Sequence, residues 1–446
     1  MKRNAILLVL LGCALIGRSQ DLTARLDTLL QAYTSLYKFN GTVLVARKGT
    51  VLLDKGYGYR NVAAGIRHDK NSIFQIGSVT KQFTAAIILK LQSAGKLNIQ
   101  DPVSKYFPQY PHGDSITIEQ LLSHTSGIYN YTSDRTFMQT EVSKPASRDK
   151  MMALFKDKPL DFSPGTKWQY SNSGYSLLGY IIESVTRRSY EQVVREYIFT
   201  PLKMKNSGFD FTHLQNKEKA IGYFAFNKKD TITSPIVDST VSFSAGAIYS
   251  TTQDLYRWHQ ALEKNVILTN VQQEKAYSPV KNNYGYGWVI DSMYSKRVVS
   301  HGGGIHGFTS NFSRIPADDV CIILLSNTSS PLLSQITTNI YSILYDKPYE
   351  IPKPRNTISV PEEKLKQYTG EYKINENIKL TITLKGNELT AAPNNDSPVV
   401  LHPEKEDFFF VDVPEVQLLF TRNENQEVNG LILYQNGQEK KCPKIK

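Results

Sequence analysis

The chain has 446 residues, 40% of them hydrophobic and 21% charged, with no low-complexity tract. That length exceeds one ordinary core and calls for two or three domains, and the composition excludes a disordered or fibrous protein. The formal net charge of +11 comes from lysines and arginines scattered along the chain, without a long basic cluster or a nucleic-acid-binding motif, so no nucleic-acid partner is expected.

The opening "MKRNAILLVLLGCALIGRSQDL" has a basic start at Lys2 and Arg3, then an apolar run from Ala5 to Gly17 that ends in small residues. The run is too short to span a bilayer comfortably and reads as a secretory leader, residues 1–19, cleaved before Gln20. Export to the periplasm or the medium follows. A lipoprotein acylated at Cys13 ranks second, because the apolar run continues past that cysteine. No later segment is long and apolar enough to be a stable membrane span. After cleavage only Cys321 and Cys442 remain, which excludes a disulfide scaffold.

Residues 22–37 carry Leu26, Leu29, Leu30 and Tyr33 at helical spacing. "TVLVARKGTVLLDKGYGY" follows as two strands joined by a Lys48-Gly49 turn. From about residue 78 to 265 several helical stretches alternate with Pro/Gly/Ser/Asn loops, among them "SITIEQLLSHTSGI" and "GYSLLGYIIESVTRRSYEQVVREYIF". Strands return from Arg297 to Asn327, in "RVVSH", "FTSNFSRIP" and "VCIILLSN", before a helix to about Tyr345. Strands at both ends of a helical middle predict one α/β domain, 21–345, whose sheet joins its two termini. Pro348, Pro352, Pro354 and Pro361 then mark a linker, 346–362. Beyond it Ile378, Leu380, Ile382 and Leu384 alternate with polar residues and Gly386-Asn387 follows as a turn, which predicts a small all-β domain, 363–446.

Three short stretches carry candidate chemistry. In "FQIGSVTKQFTAAIILKLQSAGKL", Ser78 and Lys81 stand three residues apart on one helix face. Tyr170-Ser171-Asn172 opens a helical stretch, and His301-Gly302-Gly303-Gly304 follows a strand. Alone, Ser78 and Lys81 read as a helix-start serine and a solvated lysine, and Tyr170 as a partly buried aromatic. Their order and spacing together are far more specific.

With these motifs the chain resembles the serine β-lactamase and penicillin-binding protein superfamily, in its class C β-lactamase-related branch with D-amino-acid peptidases and esterases. The resemblance covers about residues 25–345 and extends to "LLSHTSGI", "FSPGTKWQYSNSGY", "AGAIYSTTQDL" and "YGYGW". It implies a β-lactamase/transpeptidase-like fold, an antiparallel sheet flanked by helices with a helical subdomain, and an appended C-terminal β domain. It also implies hydrolysis of amide or ester bonds through an acyl-serine. The substrate would be a small molecule or a peptide, peptidoglycan-derived peptides included, with weak β-lactamase activity in range.

A serine hydroxyl needs a neighbouring base to attack at neutral pH. Lys81, desolvated beside Ser78, and Tyr170, as a phenolate stabilised by nearby cations, share that task in this reading. Asn172 orients Lys81 and holds a substrate amide, and the backbone N–H groups of Ser78 and Gly304 form an oxyanion hole. Where class C β-lactamases carry Lys-Thr-Gly, this chain has His301, Gly302 and Gly303, so its grip on a substrate carboxylate is expected to be weaker. Protonation of His301 near the usual histidine pKa would partly restore that grip, and the glycines would let backbone approach a substrate.

His301 and His306 lack the Asp/Glu/Cys neighbours of a metal site, so neither metal nor cofactor is expected. His124 reads as a hydrogen-bonded structural histidine near a helix end, and the sequons at Asn130 and Asn311 carry no weight. The alternative to an exported serine hydrolase is a non-catalytic sensor of cell-wall peptides or β-lactams on the same scaffold. Oligomeric state is not legible.

Overall fold

The computed structural model describes residues 21–445, apart from 229, 330–331, 395–397, 412–415 and 436–437. The leader and Cys13 lie outside the described residues. The described residues divide into two compact units, one ending at Ile351 and one beginning at Pro352.

In the first unit, helix α1 (residues 21–35) buries Leu26, Leu29, Leu30 and Tyr33, the apolar stripe that the spacing predicts. Strands β1 (Gly41–Arg47) and β2 (Thr50–Tyr57) follow. The turn between them has φ of 52° at Lys48 and 71° at Gly49, the doubly left-handed geometry that suits the twist of a tight hairpin. The chain then forms α2 (Thr80–Ser93), α3 (Asn172–Thr186) and α4 (Ser239–Gly246). It returns through β3 (Val289–Met293), β4 (Lys296–Ile305), β5 (Phe308–Ile315) and β6 (Val320–Ser326) and ends in α5 (Leu333–Leu344).

The sheet runs β2-β1-β6-β5-β4-β3, every pair antiparallel, so β1 and β6 join the two ends of the unit as the sequence predicts. Alternation sorts its residues between two cores. Val43, Val45, Ile322 and Leu324 pack with α1 and α5, while Leu44, Ala46, Ile323 and Leu325 face the cluster that holds α2. Cys321 lies on the second face, fully buried, as a small core residue. The long helical stretch after Gly174 is not continuous. Arg187 takes φ 57° at the end of α3, and Ser189 and Gln192 build a reciprocal cap on a new short helix. Among the described residues no helix is long and apolar enough to cross a membrane.

Residues 347–361 form neither helix nor strand. In the second unit a short helix, Glu362–Tyr368, which the alternating pattern does not announce, precedes eight antiparallel strands in sequential order. The first and last strands meet through a bridge between Tyr372 and Lys444, so the sheet closes nearly into a barrel. Tyr368, Tyr372, Phe409 and Phe420 fill its core.

Each unit has a hydrophobic core of its own. A chain ending at Ile351 is therefore expected to fold and to keep its reactivity at Ser78. Cooperative melting of the truncated chain and covalent labelling of Ser78 check this. An insoluble or unreactive product beside a well-behaved full-length chain refutes it.

Candidate active site

Ser78 sits in a single 3-10 turn, Gly77–Val79, that leads directly into α2. Gly77 has φ +51°, and a Cβ there would come within 2.9 Å of Gly304 N, so glycine lets this turn lie against β4. Every residue of α2 from Thr80 to Leu89 is buried. Lys81 therefore has no route to water and is 0% exposed.

Lys81 Nζ lies 3.0 Å from Ser78 Oγ, 2.8 Å from Asn172 Oδ1 and 2.8 Å from the Ala245 carbonyl oxygen. Two of these partners are carbonyl oxygens and can only accept a hydrogen bond, whereas the serine hydroxyl can donate one. A neutral amine would give its two N–H groups to Asn172 and Ala245 and turn its lone pair to the Ser78 proton. Burial holds the Lys81 pKa well below the usual lysine value.

Asn172 is the first residue of α3, and its two amide ends are fixed in opposite senses. Oδ1 accepts from Lys81, while Nδ2 donates to Thr132 Oγ1 at 3.1 Å. Its backbone N–H donates to Asn130 Oδ1 at 3.0 Å, so the sequon residue Asn130 has a structural role at the site. Ala245 presents its carbonyl because α4 is broken at Phe243, where φ is 37° and ψ −134°. This acceptor opens the quoted segment "AGAIYSTTQDL", yet a backbone group leaves no side-chain signal in a sequence.

The half-buried Tyr170 lies beside Ser78 and Lys81, with Lys81 Nζ 4.8 Å from the ring centroid. Burial pushes the phenol above its ordinary value, and the interaction with the Ser78 side chain only partly offsets that. Burial thus favours the protonated phenol over the phenolate that the motif suggested, and the Lys81 charge that would stabilise a phenolate is itself disfavoured by burial. Its ring rests on His124 at a centroid distance of 4.2 Å. His124 follows a short helix, takes φ 59°, and accepts the Ser171 N–H on Nδ1 at 3.1 Å. Tyr284, from "YGYGW", packs on the same imidazole at 4.7 Å. His124 and Tyr284 are thus neighbours of the site that the motifs alone did not place there.

His301 is 4% exposed, and both ring nitrogens are engaged inside the protein. Nδ1 donates to the Gly302 carbonyl at 2.6 Å, which leaves Nε2 to accept from Tyr284 Oη at 2.8 Å. Burial, aided by Lys81, pushes the His301 pKa down to about 3. The expected proton switch near neutral pH is therefore not available, and this imidazole stands behind the site instead of reaching a substrate. The ratio of kcat/KM for a cephalosporin to that for a neutral ester is expected to stay flat between about pH 8 and about pH 6, where an ordinary histidine would titrate. A rise toward the acid end would show that His301 gains a proton after all.

The three glycines differ in role. A Cβ on Gly303 would lie 2.0 Å from the Ile76 carbonyl oxygen, so that residue serves the packing of β4 against the Ser78 turn. Gly304 has open space where a Cβ would be and lines a cavity with Ser78 and Asn172. Gly302 lies outside that cavity. Pairing of β4 with β3 stops at Ser300, so Gly304 sits on a stretch without a partner strand on that edge, next to Gly77.

Residues 26–345 match the family model described as Beta-lactamase. The chain belongs to the beta-lactamase family. It shares the fold of the serine β-lactamases and penicillin-binding proteins, and with them it is a serine hydrolase by class. Residues 354–441 match a domain of unknown function, DUF3471. The chain is 28% identical over 457 residues to penicillin-binding protein 4* of Bacillus subtilis (strain 168), covering 96% of this chain and 100% of that one. It matches the octameric penicillin-binding protein homologue of Pyrococcus abyssi with a TM-score of 0.67 at 25% identity, over 94% of this chain and 99% of that one. A D-stereospecific amidohydrolase from Streptomyces sp. matches with a TM-score of 0.63 at 26% identity, over 72% and 97% of the two chains.

Proposed function

We propose that this beta-lactamase-family protein is an exported hydrolase that cleaves amide or ester bonds through an acyl-Ser78 intermediate, with D-amino-acid peptides, cell-wall peptides or esters as substrates. One observation carries the reading. Lys81 is buried and bound to two obligate acceptors, with the Ser78 hydroxyl as its third partner at 3.0 Å. In the proposed sequence Ser78 Oγ attacks the acyl carbon as its proton passes to Lys81 Nζ. The N–H groups of Ser78 and Gly304 hold the oxyanion. The protonated Tyr170 delivers a proton to the leaving group, Lys81 restores it, and water then releases the acyl group.

The relatives support an extracytoplasmic site of action and the amide or peptide class of substrate. The lack of a fixed cation at His301-Gly302-Gly303 favours donors without the carboxylate of penicillins and cephalosporins. A fluorophosphonate probe tests the reading. Adduct mass located on Ser78 is the expected result, and an unlabelled native protein overturns it in favour of a non-catalytic binder.

A further inference from the structure

The cavity at Ser78 is small, about 90 Å³, less than the cavity of about 150 Å³ that holds one benzene. Its walls are largely apolar: Tyr131, Met138, Val237, Val241 and Ile305. Among the described residues no Asp, Glu, Lys or Arg lines it. An acyl group of any size must therefore leave the cavity over its rim, and the rim has a marked exit. His306 lines the cavity beside Ile305, and its buried Nδ1 has no hydrogen-bond partner among the described residues. The outer side of that imidazole meets the edge of Phe224 at a centroid distance of 5.2 Å.

Phe224 is 47% exposed on the short hairpin Tyr223–Phe226 with Thr231–Thr233. The hairpin is held tightly to the turn that carries His306. A Cβ on Gly222 would meet the Phe308 ring at 2.7 Å, and one on Gly307 would meet Ser234 Cβ at 2.5 Å. Ile221 and Ile232, both exposed, belong to the same segment. Phe224, exposed and packed on a residue that lines the cavity, offers an apolar surface that a substrate chain leaving the cavity would cover.

We infer that the acyl side of the substrate is an uncharged apolar chain that leaves the cavity over Ile305 and His306 and lies along Phe224. This rests on the acyl-Ser78 reading and narrows its substrate class. The apolar wall rewards methylenes, and a carboxylate laid against Phe224 would lose hydration there.

Three p-nitrophenyl esters test it on the full chain: the acetate, the hexanoate, and the adipate monoester, in which a carboxylate replaces the terminal methyl of the six-carbon acyl group. Each methylene taken fully out of water contributes up to about fourfold, so partial cover of the longer chain predicts kcat/KM about tenfold higher for hexanoate than for acetate. Adipate should fall about tenfold below hexanoate, because a carboxylate stands against Phe224 where hexanoate places a methyl. Phe224→Ser, at an exposed position, should reduce the hexanoate-to-acetate ratio at least about threefold, most of one methylene's contribution. A flat chain-length series, equal rates for adipate and hexanoate, or an unchanged ratio in the variant would overturn the inference. Fluorophosphonate labelling in parallel separates the two levels. A labelled Ser78 with a flat series removes only the acyl track, whereas an unlabelled Ser78 removes the hydrolase reading and this inference with it.

Discussion

Replacing Ser78 with alanine is expected to abolish turnover and fluorophosphonate labelling while the protein melts almost as the parent does. The hydroxyl oxygen is the only heavy atom lost, and it is the atom that must bond to the acyl carbon. Water held in its place would lack the positioning of a covalently tethered oxygen, so the loss should be roughly 10⁴- to 10⁶-fold, the range found when a serine nucleophile is removed from a hydrolase. Stability should change little, because Lys81 keeps Asn172 and Ala245 as partners and one net hydrogen bond contributes about 0.5–1.5 kcal/mol. Activity on a validated substrate, adduct mass and thermal unfolding together decide it. A variant with parental activity removes Ser78 from the chemistry, and one that fails to fold makes the hydroxyl a structural group.

How much of this was legible depended on where the information lies in the chain. The sheet that joins both ends was readable because β1 and β6 carry dense apolar runs and Lys48-Gly49 marks a turn. The Ser78-Lys81 pair was readable only together with Tyr170-Ser171-Asn172 and His301-Gly302-Gly303-Gly304 in that order, since alone it reads as a helix-start serine and a solvated lysine. That α2 is buried from Thr80 to Leu89 emerges only in the fold. The environment that sets proton affinities was not readable. The raised phenol pKa of Tyr170 and the lowered imidazole pKa of His301 follow from burial, with His124 and Tyr284 packed on Tyr170 and Tyr284 packed on His301, neighbours that only the folded chain assembles. The Gly303 contact with Ile76 and the Ala245 carbonyl escaped for a related reason: both are backbone effects, and a sequence reports side chains.

Lys81 and Tyr170 have separable parts in the proposed chemistry, and substitutions should separate them. Lys81→Ala removes the acceptor of the Ser78 proton, so acylation should slow by about 10²–10⁴-fold for every acyl donor, whatever its leaving group. Tyr170→Phe keeps the ring on His124 and removes only the phenolic proton. Esters of p-nitrophenol leave without protonation and should lose little in that variant, whereas amides and alkyl esters should lose about 10²-fold or more. The Lys81 substitution should also change how stability depends on pH. Its folded pKa lies below the unfolded value, so between the two the unfolded chain binds more protons and stability rises with pH. The cost of burying the amine is complete below the folded pKa and vanishes as pH climbs past the ordinary lysine value. In Lys81→Ala that alkaline rise should be missing, and comparing unfolding free energies of the two proteins from neutral pH upward measures it. Equal loss on p-nitrophenyl esters and amides in Tyr170→Phe would make Tyr170 part of the base instead of the donor. An alkaline rise that survives in Lys81→Ala would mean that Lys81 enters the fold with its proton, and a different group would then have to take the proton from Ser78.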